Sequence, residues 1–341
     1  MNLELAQYED LSREINKRCL IEEEPADIHA WLLRALAHIG GGDETAILTW
    51  PDSFDWYDEL LAKRAANAAL PLNQRHVLDW PWQSWNRLID PLEPGMMVAI
   101  TAPDGQGKTI YVESLAEHWA RRKHKVVFVH YELNRSLMLD RRTARHTSLT
   151  VRQLKGALTA EQRATVQEAR VRLLEWDGQI TYLHTPGWSM ERTTAELRAL
   201  HTAGDCDIIV IDYLEKAQPS ARQMKIFGAN VWQREADMVE QLKTFAESYE
   251  VPVVMVTQQT KVGKNMAFRD MSRNDIGGSG EKSNRANVVV LLKRERLDDG
   301  SYSPTVHVQV DKNTMGATGA FQQVMQPEYF RLGDVFQDIA S

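Results

Sequence analysis

Eight residues, Ala102-Pro103-Asp104-Gly105-Gln106-Gly107-Lys108-Thr109, follow an apolar run and precede an amphipathic one. A glycine-bearing turn between a strand and a helix is suited to holding phosphate. Gly105 and Gly107 let the backbone bend so that successive N–H groups converge on phosphate oxygens. The helix N-terminus adds partial positive charge. Lys108 reaches the β- and γ-phosphates, and the Thr109 hydroxyl is a ligand for Mg2+. The stretch from Asp104 through Gly105, Gln106 and Gly107 to Lys108 and Thr109 therefore reads as a nucleoside triphosphate site. One position departs from GxxxxGK[ST]: Ala102 stands where the first glycine belongs. If that position needs a positive φ, alanine costs stability.

Three further groups belong to the same chemistry. Ile208-Ile209-Val210-Ile211-Asp212 is four apolar residues ending in a carboxylate. That pattern predicts a buried strand with Asp212 at its C-terminal edge, where an open α/β sheet places its ligand and where the acid holds Mg2+. Glu132 follows the apolar run Val126–His130 and would stand at the same edge, able to orient and deprotonate an attacking water. Gln258 follows Val253–Thr257 and is placed to sense the γ-phosphate, with Gln259 as its competitor.

These residues need a sheet to position them. Short apolar runs predict strands at Met97–Thr101, Val126–His130, Ile180–His184, Ile208–Asp212, Val253–Thr257, Val288–Leu292 and Thr305–Val310. Helical periodicity lies between them at Thr109–Lys123, from Arg135, at Met190–Ala203 and at Val231–Tyr249. Continuous apolar strands between helices imply a mostly parallel sheet covered on both faces. The last two strands lie close in sequence, which suggests an antiparallel edge. The segment before this pattern differs. Residues 1–75 carry Ile28, Trp31, Leu32, Ala35, Leu36 and Ile39 at helical spacing, then Gly40-Gly41-Gly42 and a second helical run from Trp56 to Leu70 closed by Pro71. They read as a helical arm with a linker helix, or as an extension packed on the main domain at 76–341.

The composition sets outer bounds. The chain has 341 residues, 43% of them hydrophobic, with a net charge of −7. A protein that coats nucleic acid over its whole surface would be basic, but a local basic loop is compatible with this charge. The two cysteines, Cys19 and Cys206, form no CxxC and cannot build a zinc module or a disulfide framework. Apolar runs are strand-sized, so no membrane span or membrane partner is expected. With no signal-peptide pattern at the N-terminus, the expectation is a cytoplasmic protein.

The order of motifs resembles the C-terminal motor domain of DnaB-like replicative helicases, the RecA-like ring ATPases of superfamily 4, over roughly residues 78–331. The resemblance rests on several stretches. Pro81-Trp82-Gln83-Ser84-Trp85-Asn86-Arg87-Leu88 and Leu92-Glu93-Pro94-Gly95 resemble the lead-in to the first strand. Val127-Phe128-Val129-His130-Tyr131-Glu132-Leu133 resembles the strand that ends in the family's catalytic glutamate. Thr185-Pro186-Gly187, Asp212-Tyr213-Leu214, Val251-Pro252-Val253 with Thr257-Gln258-Gln259, and Ser279-Gly280 before Ala286–Val290 follow in the family's order. Lys312-Asn313-Thr314-Met315-Gly316-Ala317-Thr318-Gly319 looks like its K-x-R-x-G-x-T-G element.

The resemblance implies a RecA-like P-loop NTPase fold: an α/β architecture with a mostly parallel central sheet flanked by helices, here with a small N-terminal helical arm. It implies ATP and Mg2+ as ligands and a homo-hexameric ring that moves on single-stranded DNA in replication. A separate primase or loader is the further partner it suggests. It also implies that Lys312 reaches a neighbouring subunit's nucleotide. Thr314, however, stands where the family has its arginine finger, so either Arg294 or Arg296 substitutes, hydrolysis is slow, or the partner subunit differs. The family's Glu-Gln-Asp-Ala-Asp segment is Ser283-Asn284-Arg285-Ala286-Asn287 here, without its acids. The alternative reading is a RecA-like DNA-dependent ATPase of recombination, loading or regulation that does not separate strands. DNA would meet two loops. The first follows Asp212 and holds Lys216, Arg222 and Lys225. The second runs from Thr260 to Gly280 and holds Lys261, Lys264, Arg269 and Arg273 among glycines.

Overall fold

The computed structural model describes residues 11–15, 18, 28, 32, 50–70, 77–132, 135–258 and 284–335. The chain forms two compact units, Met1–Arg75 and His76–Ser341. In the first, helix α1 spans Trp50–Ala69. It starts six residues before the Trp56 expected from periodicity. Pro51 does not prevent this, because a first-turn residue has no intrahelical use for its N–H. The run of Leu, Ala, Lys and Arg after Glu59 propagates the helix.

The second unit is a single nine-stranded sheet among the described residues, in the order β3-β2-β4-β5-β1-β6-β7-β8-β9. The parallel half is β1 (Met97–Ala102), β2 (Val126–His130), β3 (Ile180–His184), β4 (Ile208–Asp212), β5 (Val253–Gln258) and β6 (Val288–Arg296). Their pairings are parallel throughout. β1, β2 and β4 are buried along their whole length, as strands covered on both faces must be. The antiparallel half is β7 (Tyr302–Asn313), β8 (Gly319–Gln326) and β9 (Arg331–Asp334). This matches the expected parallel core with an antiparallel edge, although β8 and β9 were not expected.

The reason they escape pattern reading is chemical. β8 reads Gly-Ala-Phe-Gln-Gln-Val-Met-Gln, with little β-branched character. Its Gln323 is fully buried because its Oε1 accepts from the Trp85 indole at 3.0 Å and the Tyr111 hydroxyl at 2.8 Å. A distant pair of donors makes a glutamine acceptable in the core.

Helices cover both faces. α2 (Gln83–Asn86) precedes β1, while α3 (Lys108–Arg121), α4 (Arg135–His146), α5 (Val151–Leu154) and α6 (Ala160–Leu174) lie between β1 and β3 in sequence. α7 (Met190–Thr202), α8 (Ala221–Phe227) and α9 (Val231–Ser248) follow. One face packs Tyr111, Leu115 and Trp119 of α3 together with Trp80, Trp82 and Trp85. These three tryptophans come from the lead-in, and each meets another aromatic ring at 5.0–5.5 Å. The opposite face packs Leu197 of α7 with Met238, Leu242 and Phe245 of α9. No helix among the described residues is long and apolar enough to cross a membrane.

Register decides what reaches the sheet's C-terminal edge. His130 pairs with Asp212, which sets Glu132, two residues beyond His130, beside β4. Ala102 pairs with Gln258, which sets the P-loop beside the end of β5. The strand order β2-β4-β5-β1 thus gathers four separate sequence segments along one edge.

Candidate nucleotide site

A cavity of about 540 Å3 opens at that edge. The residues from Asp104 to Thr109, together with Glu132, Asp212 and Gln258, line it. Ala102 is the last residue of β1 and has no positive φ, so the alanine carries no strain there. The left-handed conformations fall instead on Gly105 (φ 74°) and Gly107 (φ 93°). Gly107 is the N-cap of α3, and a Cβ there would stand 2.4 Å from Met325 Cε.

Lys108 is nearly buried, and its Nζ donates to the Ala102 carbonyl at 2.7 Å and the Pro103 carbonyl at 3.1 Å. The Asp104 carboxylate is 3.8 Å from the same Nζ. The Thr109 hydroxyl donates to Asp212 Oδ2 at 2.8 Å. The other oxygen, Asp212 Oδ1, is buried with no hydrogen-bond partner among the described residues. Burial raises the Asp212 carboxyl to about 6, with the Thr109 hydrogen bond pulling the other way. A hydroxyl and an under-satisfied carboxylate side by side are the oxygen donors a hard divalent cation takes, so this pair fits Mg2+.

Glu132 is half-exposed, with its Oε1 3.4 Å from Lys216 Nζ. Gln258 donates from its backbone N–H to Glu215 Oε1 at 3.0 Å and from Nε2 to Asp104 Oδ1 at 2.9 Å. Gln258 therefore stands in the cavity, whereas Gln259 lies outside the described residues.

Two arginines in the cavity wall bear on the missing finger. Arg294 is buried, and its guanidinium donates to the Ser303 carbonyl at 2.6 Å and the Tyr302 carbonyl at 3.0 Å. Its backbone N–H donates to Gln106. Arg296 is exposed and turns to the Gly300 carbonyl. Arg141 of α4 also lines the cavity and lies over the Phe330 ring at 5.0 Å. Sequence reasoning missed Arg141. The only signal was its place on the helix that follows Glu132.

Lys312 is not in this cavity; it lies on β7, and its Nζ donates to the Asn284 carbonyl at 2.7 Å. Asn287, where the family has an acid, accepts from the Met97 N–H at 2.9 Å and Lys243 Nζ at 3.1 Å. The amide thus ties the start of β1 to the strand beside it. The first loop after Asp212 is more ordered than its sequence suggested. Residues Leu214–Lys216 form one 3-10 turn, and Ser220 caps α8 with Gln223. Arg222 pairs with Asp237 at 2.7 Å, while Lys225 is exposed. The candidates Lys261, Lys264, Arg269 and Arg273 lie outside the described residues.

The family model for the DnaB-like helicase C terminal domain matches residues 81–334. The replicative DNA helicase DnaB of Leifsonia xyli subsp. xyli is 25% identical over 261 residues, 73% of this chain and 54% of that protein. The probable plasmid replicative DNA helicase of Chlamydia muridarum is 24% identical over 237 residues, 69% of this chain and 49% of that protein. The chain therefore spans about half the length of these relatives. Among solved structures, the ATPase domain of G40P superposes with a TM-score of 0.70 at 18% identity, covering 82% of this chain and 98% of that one. A DnaB-like replicative helicase, solved in a study of its interactions with primase, gives 0.76 at 17% identity over 97% of this chain and 76% of that one. At these identities the likeness shows the fold, which is that of the RecA-like ATPase domain.

Proposed function

The chain belongs to the family of DnaB-like helicase C-terminal domains, and on that premise we propose that it is the ATP-hydrolysing motor of a ring-shaped replicative helicase that moves on single-stranded DNA. The observation that carries this reading is the Thr109–Asp212 hydrogen bond, with the unpartnered Asp212 Oδ1 beside it, inside the cavity that also holds Lys108, Glu132 and Gln258.

The residues divide the work by position. The N–H groups of the P-loop and Lys108 bind the β- and γ-phosphates. Thr109 and Asp212 would hold Mg2+, which would supply positive charge to offset that of the β- and γ-phosphates. Glu132 takes the proton of the attacking water, the new P–O bond forms at the γ-phosphorus, and the β–γ bridging bond breaks with its electrons leaving on ADP. Gln258 hydrogen-bonds the γ-phosphate and passes its presence to the segment after β5. Arg141 and Arg294 supply cationic groups within the same subunit.

Lys312 stands outside the cavity, which suits a residue that serves a neighbour's nucleotide in a homo-hexamer. Exposed apolar side chains on α8 and α9, among them Met224, Ile226 and Trp232, offer surface for such contacts. The DNA path is lined by Lys216 and Lys225, together with the lysines and arginines between Thr260 and Gly280. A primase or loader acts as a separate partner. The test is direct: the protein should hydrolyse ATP faster with single-stranded DNA and unwind a forked duplex at low salt. DNA-stimulated hydrolysis without unwinding would shift the reading to a DNA-dependent ATPase. Absence of both would overturn it.

A further inference from the structure

The 3-10 turn Leu214–Lys216 follows β4 directly, and β4 lies between β2 and β5 in the sheet. Two successive residues of this turn reach to opposite sides. Glu215 accepts the backbone N–H of Gln258, at the end of β5, at 3.0 Å. Lys216 places its Nζ 3.4 Å from Oε1 of Glu132, just beyond β2. A single turn thus touches both the residue expected to sense the γ-phosphate and the residue expected to activate water. The same turn opens the first of the two segments expected to meet DNA.

We infer that Lys216 is a positioning residue that restrains Glu132 until a DNA phosphate draws it away, so that hydrolysis is coupled to DNA through this one side chain. The inference rests on the proposed function and names a regulation of the same site.

The physical case has three parts. First, a cation at 3.4 Å draws the Glu132 carboxylate toward itself and so holds it away from an attacking water. This restraint on position weakens Glu132 as a general base. Second, Lys216 stays charged. The phenol of Tyr213 and the Glu132 carboxylate raise its pKa, and its Nζ lies 5.5 Å from the centre of the Tyr213 ring. It is therefore available as a cation to a phosphodiester. Third, both partners are about half exposed, at 44% and 52% of the side chain. An ion pair this exposed is held weakly, by a factor of about five at most, so a phosphate contact suffices to release it. A buried pair could not exchange partners on this scale. The same weakness limits the size of the effect.

The test compares ATP turnover of the full chain with and without a saturating oligothymidylate. Lys216→Met should raise the DNA-free kcat by up to about fivefold with KM for ATP unchanged, and should reduce the fold stimulation by DNA correspondingly. Lys216→Arg should retain the wild-type ratio. Fluorescence anisotropy with labelled oligonucleotide ensures that stimulation is compared at equal DNA occupancy. In the wild type, raising salt from about 0.05 to 0.3 M should lift the DNA-free rate by screening the pair; Lys216→Met should lack this rise. A DNA-free rate in Lys216→Met that equals or falls below wild type overturns the inference, because Lys216 is then an ordinary surface or DNA-contacting lysine. If wild type and Glu132→Gln turn over ATP equally, the proposed function itself fails, a result distinct from failure of the restraint alone.

Discussion

Gly107→Ala tests the local geometry of the phosphate loop and can be worked through from two measurements. Gly107 sits at φ 93° and ψ 21°, outside the range L-residues adopt easily. Holding alanine there costs about 1–2 kcal/mol. The added Cβ also stands 2.4 Å from Met325 Cε and 2.7 Å from its Sδ. Met325 is 1% exposed and has to be displaced within a packed core. Overpacking costs about 1–3 kcal/mol, and methionine's flexibility puts this case near 1. The expected loss is therefore about 2–3 kcal/mol, read as a shift in the urea midpoint. The assay is a double-mutant cycle with Met325→Ala, which by itself leaves a cavity. In that background Gly107→Ala should cost only the backbone part, about 1–2 kcal/mol, giving a coupling near 1 kcal/mol. Additivity within about 0.3 kcal/mol would refute the close approach. A cost below about 0.5 kcal/mol in both backgrounds would refute the left-handed backbone as well.

Three further outcomes are expected. Glu132→Gln should reduce ATP turnover by at least about 10²-fold while leaving nucleotide affinity within a few-fold, as measured with a fluorescent ATP analogue. Arg145→Met should destabilise the fold by about 3–5 kcal/mol in urea, because the Arg145 guanidinium is buried against Glu113 and Glu117 and its loss leaves two carboxylates without it. Stability should also fall on acidification: burial and then His184 hold His130 down to about 4 from its ordinary 6.5, so the native state stays neutral where the unfolded chain binds a proton. The contribution is fully present above pH 6.5 and is lost as pH falls toward 4, and His130→Gln should flatten that part of the stability–pH curve.

Much of the site was legible in the linear pattern because its parts are local. A strand, a glycine-bearing turn and Lys-Thr at a helix start occupy thirteen consecutive residues, from Met97 to Thr109. Asp212 and Glu132 each announce themselves as a carboxylate after an apolar run. The strands β2, β3 and β4 have the bounds expected of them; for β2 and β4, largely apolar runs between helices leave little freedom. The lead-in stretches Pro81–Leu88 and Leu92–Gly95 were visible as a motif but not as core. Only the contacts of Trp80, Trp82 and Trp85 with Tyr111 and Trp119 give the lead-in that role.

The parts that the tertiary structure decided depend on pairs of residues far apart in the chain. Whether Ala102 is strained depends on the backbone it occupies as the last residue of β1. That the Gln258 amide reaches the cavity, where its Nε2 donates to Asp104, follows from the register of β5 beside β1. Arg222 reads as a free cation in sequence, yet Asp237 of α9 takes its guanidinium. The approach of Lys216 to Glu132 spans two neighbouring strand ends and has no sequence signature. Residue types and short spacings state which chemistry is available, because phosphate binding and strand burial are local demands. Which groups meet, and which are held by another partner, is settled by sheet order and register, since those set distances that no local pattern encodes.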